Sequence, residues 1–248
     1  MPISLISNQE VIPCIESSVF NGHETARFAV GIVAVGSNVV AGLENEYNGY
    51  TLLRGNVYAR QKNYMPLDEL NADGTETDAD DPRSVHFAVI ENTLNNKRVV
   101  GAMRLIIKSK QYDSILPIED HYPDAFKDGP APILSTEVSR LICRHENIKA
   151  QRDLKWPLFS AGVTYVTKEG LGPVFGAVEA QFERSLGMAG VPVTALGAPI
   201  YVPEFNATKL PIRVDVSNLS KKIEGDHPYL FDAMRSVEKH FVYSGSAI

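Results

Sequence analysis

The chain has 248 residues with 24 basic and 30 acidic side chains, a formal charge of −6, and 44% hydrophobic against 22% charged residues. That balance is the ordinary one of a folded globular protein and excludes a disordered chain; the acidic excess excludes a general nucleic-acid binder, which needs positive charge to draw phosphates. Two cysteines, Cys14 and Cys143, and six histidines without HxH or HxxxH spacing supply neither a disulfide framework nor a zinc set, so no metal is expected.

Residues 1–26 lack clear periodicity and read as an N-terminal arm. Phe28–Leu43 is the longest uncharged stretch, but its 16 residues fall short of a spanning helix and no basic leader precedes them. It reads as a buried strand with a turn at Gly36-Ser37-Asn38, and a soluble, cytoplasmic protein is expected. Residues 44–63 carry Tyr47, Tyr50, Leu53, Val57 and Tyr58 at helical spacing. Residues 66–83 form an acidic loop broken by Pro66, Gly74 and Pro82. Ser84–Ile90 and Arg98–Ile107 read as a hairpin, residues 109–132 as a long polar connection with four prolines, and Leu134–Cys143 as a further strand.

Beyond it the pattern predicts a helix over Lys155–Lys168 with Pro157 in its first turn. A strand at Val174–Ala177, a helix at Glu179–Met188 and strands at Val191–Leu196 and Pro211–Val216 follow, then an amphipathic helix near Tyr229–Phe241. The order predicts an α/β (α+β) chain with helices packed on one mixed sheet. No repeat or domain boundary is visible, so one domain is expected, its core at about 27–217 between the N-terminal arm and a C-terminal extension, 218–248. No GxxxxGK[ST], GxGxxG after a strand, HExxH, GxSxG or CxxC occurs, which removes the usual markers of five common chemistries.

Four patches place charge where structure alone would be indifferent to it. Arg54 and Tyr58 are one helical turn apart, ahead of Tyr64. Glu76, Asp78, Asp80 and Asp81 cluster in the acidic loop. Arg104 interrupts the apolar run Val99–Ile107, and a buried guanidinium requires a carboxylate partner, which that loop can supply. In Thr136–Cys143, strand alternation puts Glu137, Ser139, Leu141 and Cys143 on one face and Val138, Arg140 and Ile142 on the other. Taken singly, each patch also fits a surface or packing role; together they describe carboxylates and arginines gathered around an inner strand.

This set resembles the signature of the acyl-homoserine-lactone (autoinducer) synthases and their relatives, the N-acyl amino acid synthases and exosortase-associated acyltransferases. It consists of Arg54/Tyr58/Tyr64, Glu76-x-Asp78-x-x-Asp81, Val100-Gly101-Ala102-x-Arg104-Leu105 and Glu137-x-Ser139-Arg140. The resemblance covers roughly residues 50–145 and continues more weakly to about 216, including Ala195-Leu196-Gly197-Ala198-Pro199. It implies a GNAT-fold N-acyltransferase. Tyr64 stands where the lactone synthases carry tryptophan, and Lys108–Asp120 where they have a short threonine-rich segment. Arg83-Ser84-Val85-His86-Phe87 is closer to the acyl amino acid and exosortase-associated branches.

The resemblance implies that an acyl thioester enters between splayed strands and an acceptor amine attacks its carbonyl. Glu137 is the candidate base and Ser139 a candidate contact to the acyl group, while main-chain N–H groups near Leu141–Cys143 are candidates for the oxyanion. Arg54, Tyr58, Tyr64, Glu76, Asp78, Asp81, Arg104 and Arg140 form the acceptor side, carboxylates suiting an amino group and arginines a carboxylate. No base neighbours Cys143 in sequence, so it is not taken as a nucleophile. No cofactor is permanently bound; the donor is acyl carrier protein or coenzyme A. The stretch after the strand lacks the glycine-rich turn that receives a pyrophosphate, but holds Arg144, Lys149, Arg152 and nearby Lys155. That basic patch favours docking of an acidic acyl carrier protein. The alternatives are a lactone synthase using S-adenosylmethionine and a non-catalytic module that binds a carrier or lipid; a binding module has no need of a base at Glu137.

Overall fold

The computed structural model describes residues 27–93, 97–110 and 115–216, together with Leu219. The arm 1–26, most of the extension 218–248 and the helix expected near Tyr229–Phe241 lie outside the described residues. The chain opens with β1 (Arg27–Val35), which turns tightly into β2 (Asn38–Val39). Helix α1 (Glu44–Gly55) follows, with Glu44 and Glu46 in its first turn, where carboxylates favour the helix dipole. It runs directly into a π-helical turn, Asn56–Gln61. The expected helix thus ends two residues early and unwinds over its last six, a local widening often found at functional sites.

The acidic loop leads into the hairpin β3 (Ser84–Asn92) and β4 (Lys97–Ile107), both central, β3 buried up to Glu91 and β4 from Val100 to Ile106. The connection after β4 is not structureless: it holds the short helix α2 (Pro117–His121) and a 3-10 turn, Pro123–Phe126. Strand β5 (Thr136–Cys143) begins two residues later than expected, because Leu134 takes a left-handed backbone, φ 71°. Helix α3 (Ile148–Asp153), not foreseen, precedes α4 (Lys155–Lys168), whose bounds are as expected. Then come β6 (Val174–Val178), α5 (Ala180–Met188), β7 (Val193–Ala195), an unforeseen β8 (Ile200–Val202) and β9 (Ala207–Val214).

The sheet order is β2-β1-β3-β4-β5-β6-β9-β7, with β8 on β9. Every described pairing is antiparallel except β5 with β6, which meet only at Thr136–Val174 and Glu137–Phe175. Past that point the two strands part.

The sheet is covered on both faces. Leu158, Ala161 and Tyr165 of α4 pack on Phe87, Met103 and Leu105. On the opposite face Tyr50 of α1 and Val57 of the π-helical turn lie against Ala88, Ala102 and Ile142. The same face carries Ile106 and Phe175 under Leu116, Ile118 and Tyr122 from the β4–β5 connection. Burial at roughly 25 cal/mol per Å² makes these apolar faces the main source of stability. No helix among the described residues is long and apolar enough to cross a membrane.

Candidate active site

Three arginines from three elements converge on the acidic loop. Arg54 of α1, fully buried, donates from Nε to Glu76 and grips Asp81 with both Nη atoms at 2.9 and 3.2 Å. Arg104 of β4, also buried, donates to Asp81 at 2.7 Å, to Asp78, and from Nε to Ser139 Oγ at 3.1 Å. Arg140 of β5 bridges Glu76 and Asp78 through Nη2, at 2.9 Å to each, with its guanidinium 4.6 Å from the Tyr58 ring centre. Three guanidiniums thus face three carboxylates, each charge meeting at least two of opposite sign and Arg54 holding Asp81 bidentately, which offsets the desolvation cost.

Burial alone would raise the Asp78 carboxyl, but Arg104 and Arg140 pull it down to about 2. Glu76 and Asp81, also raised by burial alone, are held below the usual range by Arg140 and Arg54 and by Arg54 and Arg104 respectively.

The loop is seated on α1 by backbone contact. Glu76 N–H donates to Thr51 O at 3.1 Å, and Gly55 is required there because a Cβ would overlap the carbonyl oxygen of Gly74. Beneath it lies a polar network that sequence reasoning missed. His86, opposite Arg104 across β3–β4, has Nε2 3.2 Å from Asp81 O and Nδ1 3.1 Å from Tyr50 Oη. A carbonyl only accepts, so Nε2 carries the proton and Tyr50 O–H donates to Nδ1. Burial drives His86 down to about 4, keeping the ring neutral. The available signal was Tyr50, one helical turn before Arg54.

Arg140 overturns the alternation expected for β5. Its φ is 55° and the β4–β5 register shifts between Ala102 and Arg104, so residues 140 and 141 together oppose Met103. This bulge turns Arg140 to the side of Glu137 and Ser139. Leu141 and Cys143, expected on that side, instead pack on the α4 face with Val138. Burial pushes the Cys143 thiol up to about 12, so it is not poised as a thiolate.

Glu137 is buried, and its Oε2 accepts the Ile118 N–H at 2.8 Å. Burial raises its carboxyl to about 7, with the Ile118 hydrogen bond and Arg104 opposing the rise. Tyr122, one helical turn after Ile118, is 5% exposed, and its hydroxyl has no hydrogen-bond partner among the described residues. An unpaired buried hydroxyl costs roughly 1–3 kcal/mol. Nothing in the sequence pointed to Ile118 or Tyr122, since a one-turn helix leaves no periodicity to read.

Tyr64 joins the group through edge-to-face contact with Tyr58 at 5.5 Å, and Phe205, also unforeseen, extends the row at 5.5 Å from Tyr64. The arrangement brings Arg54, Tyr58, Tyr64, Glu76, Asp78, Asp81, Arg104, Ser139 and Arg140 into one connected cluster, with Glu137 beside Ser139's strand face.

The expected basic patch is only partly presented. Lys149 and Arg152 are exposed on α3, whereas Arg144 is half-buried. Lys155 folds over the rings of Trp156 and Phe182, at 5.0 and 5.4 Å. Across the sheet from the arginines, by the paired ends of β5 and β6, Met103, Leu105, Val138, Phe159 and Val174 line an apolar cavity of about 10 Å³. Among the described residues no group of three or more His, Cys, Asp or Glu is placed to hold a metal ion.

No protein-family model and no curated protein matches the sequence. Solved structures do match the fold. The CoA-dependent acyl-homoserine lactone synthase BjaI, solved with SAM and isopentyl-CoA, has a TM-score of 0.59 at 21% identity, over 84% of this chain and 100% of that one. The AHL synthase LasI has a TM-score of 0.59 at 14% identity, over 82% and 97%. FeeM, an N-acyl amino acid synthase from uncultured soil microbes, has a TM-score of 0.50 at 18% identity, over 79% and 96%. The chain has the GNAT-like mixed-sheet fold of these synthases.

Proposed function

We propose that this protein is an N-acyltransferase that moves a fatty acyl group from a thioester to the amine of an amino-acid-like acceptor. The observation that carries the reading is Glu137: a buried carboxyl raised to about 7, where β5 and β6 begin to part. An acceptor amine must lose a proton to attack a thioester, and a base titrating near the working pH is suited to take it. Its position beside the arginine–carboxylate cluster and the shared fold of N-acylating synthases support the same reading.

In this mechanism the thioester carbonyl lies near Glu137, with the acyl chain running through the strand gap towards the apolar cavity. At about 10 Å³ that cavity holds little more than one water, so a fatty chain parts the side chains that line it. Asp78 and Arg140 are the more accessible members of the cluster, at 28% and 17% side-chain exposure, and offer an anion for an amino group and a cation for a carboxylate. Glu137 takes the amine proton as the N–C bond forms, and the thiolate leaves with the C–S electron pair.

Acyl carrier protein is the preferred donor over coenzyme A. The first free N–H groups of α3, on Lys149 and Ala150, are taken by the Asn147 side chain at 2.9 and 3.1 Å rather than left open for a pyrophosphate. The exposed Lys149 and Arg152 suit an acidic carrier.

The test is thiol release with mass spectrometry of the product, using carrier protein or coenzyme A loaded with chains of several lengths. Each donor is paired with pooled amino acids or with S-adenosylmethionine. An N-acyl amino acid supports the reading and names the acceptor; an acyl-lactone with methylthioadenosine replaces it with lactone synthesis. Silence from folded protein with every pair overturns it in favour of a binding module.

A further inference from the structure

The connection between β4 and β5 is one of the places where the sequence departs from the lactone synthases it resembles, and it folds onto the candidate base. Helix α2 within it is pinned from two sides. The buried Glu119 carboxylate takes Lys108 Nζ at 2.7 and 2.8 Å, Leu116 N–H at 2.7 Å and Ala131 N–H at 2.8 Å. His121 stacks on Phe205 at 6.4 Å. From this fixed segment Ile118 N–H reaches Glu137 Oε2, and Tyr122 N–H donates to Ile118 O at 3.0 Å, which sets Tyr122 one turn above Ile118.

Both groups have capacity to spare. Glu137 Oε1 accepts no hydrogen bond from the described residues, and the Tyr122 hydroxyl, nine-tenths buried, has no partner among them. Burial first, and then the Glu137 charge, push the phenol up to about 12, so it stays an intact O–H beside the carboxylate. A phenylalanine would fill the same place in the apolar cluster of Ile106, Leu116 and Phe175 without burying an unpaired hydroxyl.

We infer that Tyr122 is a second catalytic residue of the proposed acyl transfer: its oxygen accepts one N–H of the acceptor amine while Glu137 Oε1 takes the proton from the other. This role rests on the N-acyltransferase reading. The two contacts aim the nitrogen lone pair at the thioester carbon. The N–C bond forms, the C–S bond breaks with its electrons on sulfur, and the proton held by Glu137 passes to the thiolate, restoring the carboxylate.

The experiment compares wild type, Y122F, E137Q and the double variant. Donors are acyl carrier protein or coenzyme A with saturated chains of several lengths, and acceptors are pooled amino acids or S-adenosylmethionine. Y122F should melt at or slightly above the wild-type temperature, because it deletes only an unpaired hydroxyl. Its kcat should fall ~10–100-fold at unchanged donor KM. The double variant should be no slower than E137Q alone, since the two groups act on one nitrogen.

An independent readout is the infrared titration of Glu137, taken as the wild-type-minus-E137Q difference. Arg104 of β4, Asp80 and Arg83 of the acidic loop and Tyr122 face this carboxyl. With the first three unchanged, Y122F should move the midpoint to higher pH through loss of a polar neighbour. An active wild type with an equally fast Y122F, or an unmoved midpoint, overturns the role of Tyr122 and leaves the acyl-transfer reading standing. A silent, folded wild type overturns that reading and this role with it.

Discussion

Arg104 and Ser139 lie opposite each other across β4 and β5, and the guanidinium Nε donates to the serine Oγ at 3.1 Å. The contact ties the ion cluster to the strand that carries Glu137. Ser139→Ala leaves a buried N–H without its acceptor, and we expect a stability loss of about 1–3 kcal/mol in urea unfolding. Ser139→Thr keeps the oxygen and should recover most of that loss. Equal midpoints for alanine and wild type would show that the contact contributes nothing.

Asp81 is held by two buried arginines at once, so neutralising it leaves positive charge uncompensated in the interior. Asp81→Asn should destabilise the protein by roughly 3–5 kcal/mol. Loss of the Arg54 grip should also raise acceptor KM more than donor KM. Denaturant unfolding measures the first effect and steady-state kinetics the second.

Glu137 makes activity and stability run in opposite directions with pH. Turnover should rise as the carboxyl loses its proton, with a midpoint near pH 7. Its folded value lies above the ordinary glutamate value of 4.5, so the folded state holds the proton more tightly. That stability is fully present below about pH 4.5 and is lost as pH rises through 7, on the order of 3 kcal/mol in all. Asp78 has the reverse sign: its folded value of about 2 contributes stability above the ordinary aspartate value of 3.8 that is lost as pH falls through 2. Glu137→Gln should therefore lose ~10²–10⁴-fold in turnover while being more stable than wild type at about pH 8. Thermal melts across pH and a pH–rate profile check both.

Lys149 and Arg152 project from α3 into solvent, while Lys155 is occupied by aromatic rings. Charge reversal at Lys149 and Arg152 should slow association with a carrier-bound thioester on the order of tenfold and flatten its salt dependence. Lys155→Met should leave that association unchanged. Stopped-flow binding at two ionic strengths separates the cases, and an equal effect from all three would refute the assignment.

What could be read from the sequence was what local pattern encodes. Apolar residues at helical spacing marked α1 and α4, and long buried runs marked β3, β4 and β5, because side-chain direction repeats every 3.6 or 2 residues whatever the partners are. The need to neutralise Arg104 in an apolar strand pointed to the acidic loop, since a lone buried guanidinium is prohibitively costly. Tertiary structure alone decided the rest. The bulge at Arg140 reverses its side, because one extra residue between paired strands breaks the period on which the alternation depends. Likewise α2, a single turn long, carries no readable period, and its contact with Glu137 exists only once the buried Lys108–Glu119 pair has folded the β4–β5 connection onto the sheet. The sequence by itself determined the long strands and helices and which charges need partners; the short elements α2, α3 and β8, and where all the segments meet, were decided by packing, which no local pattern records.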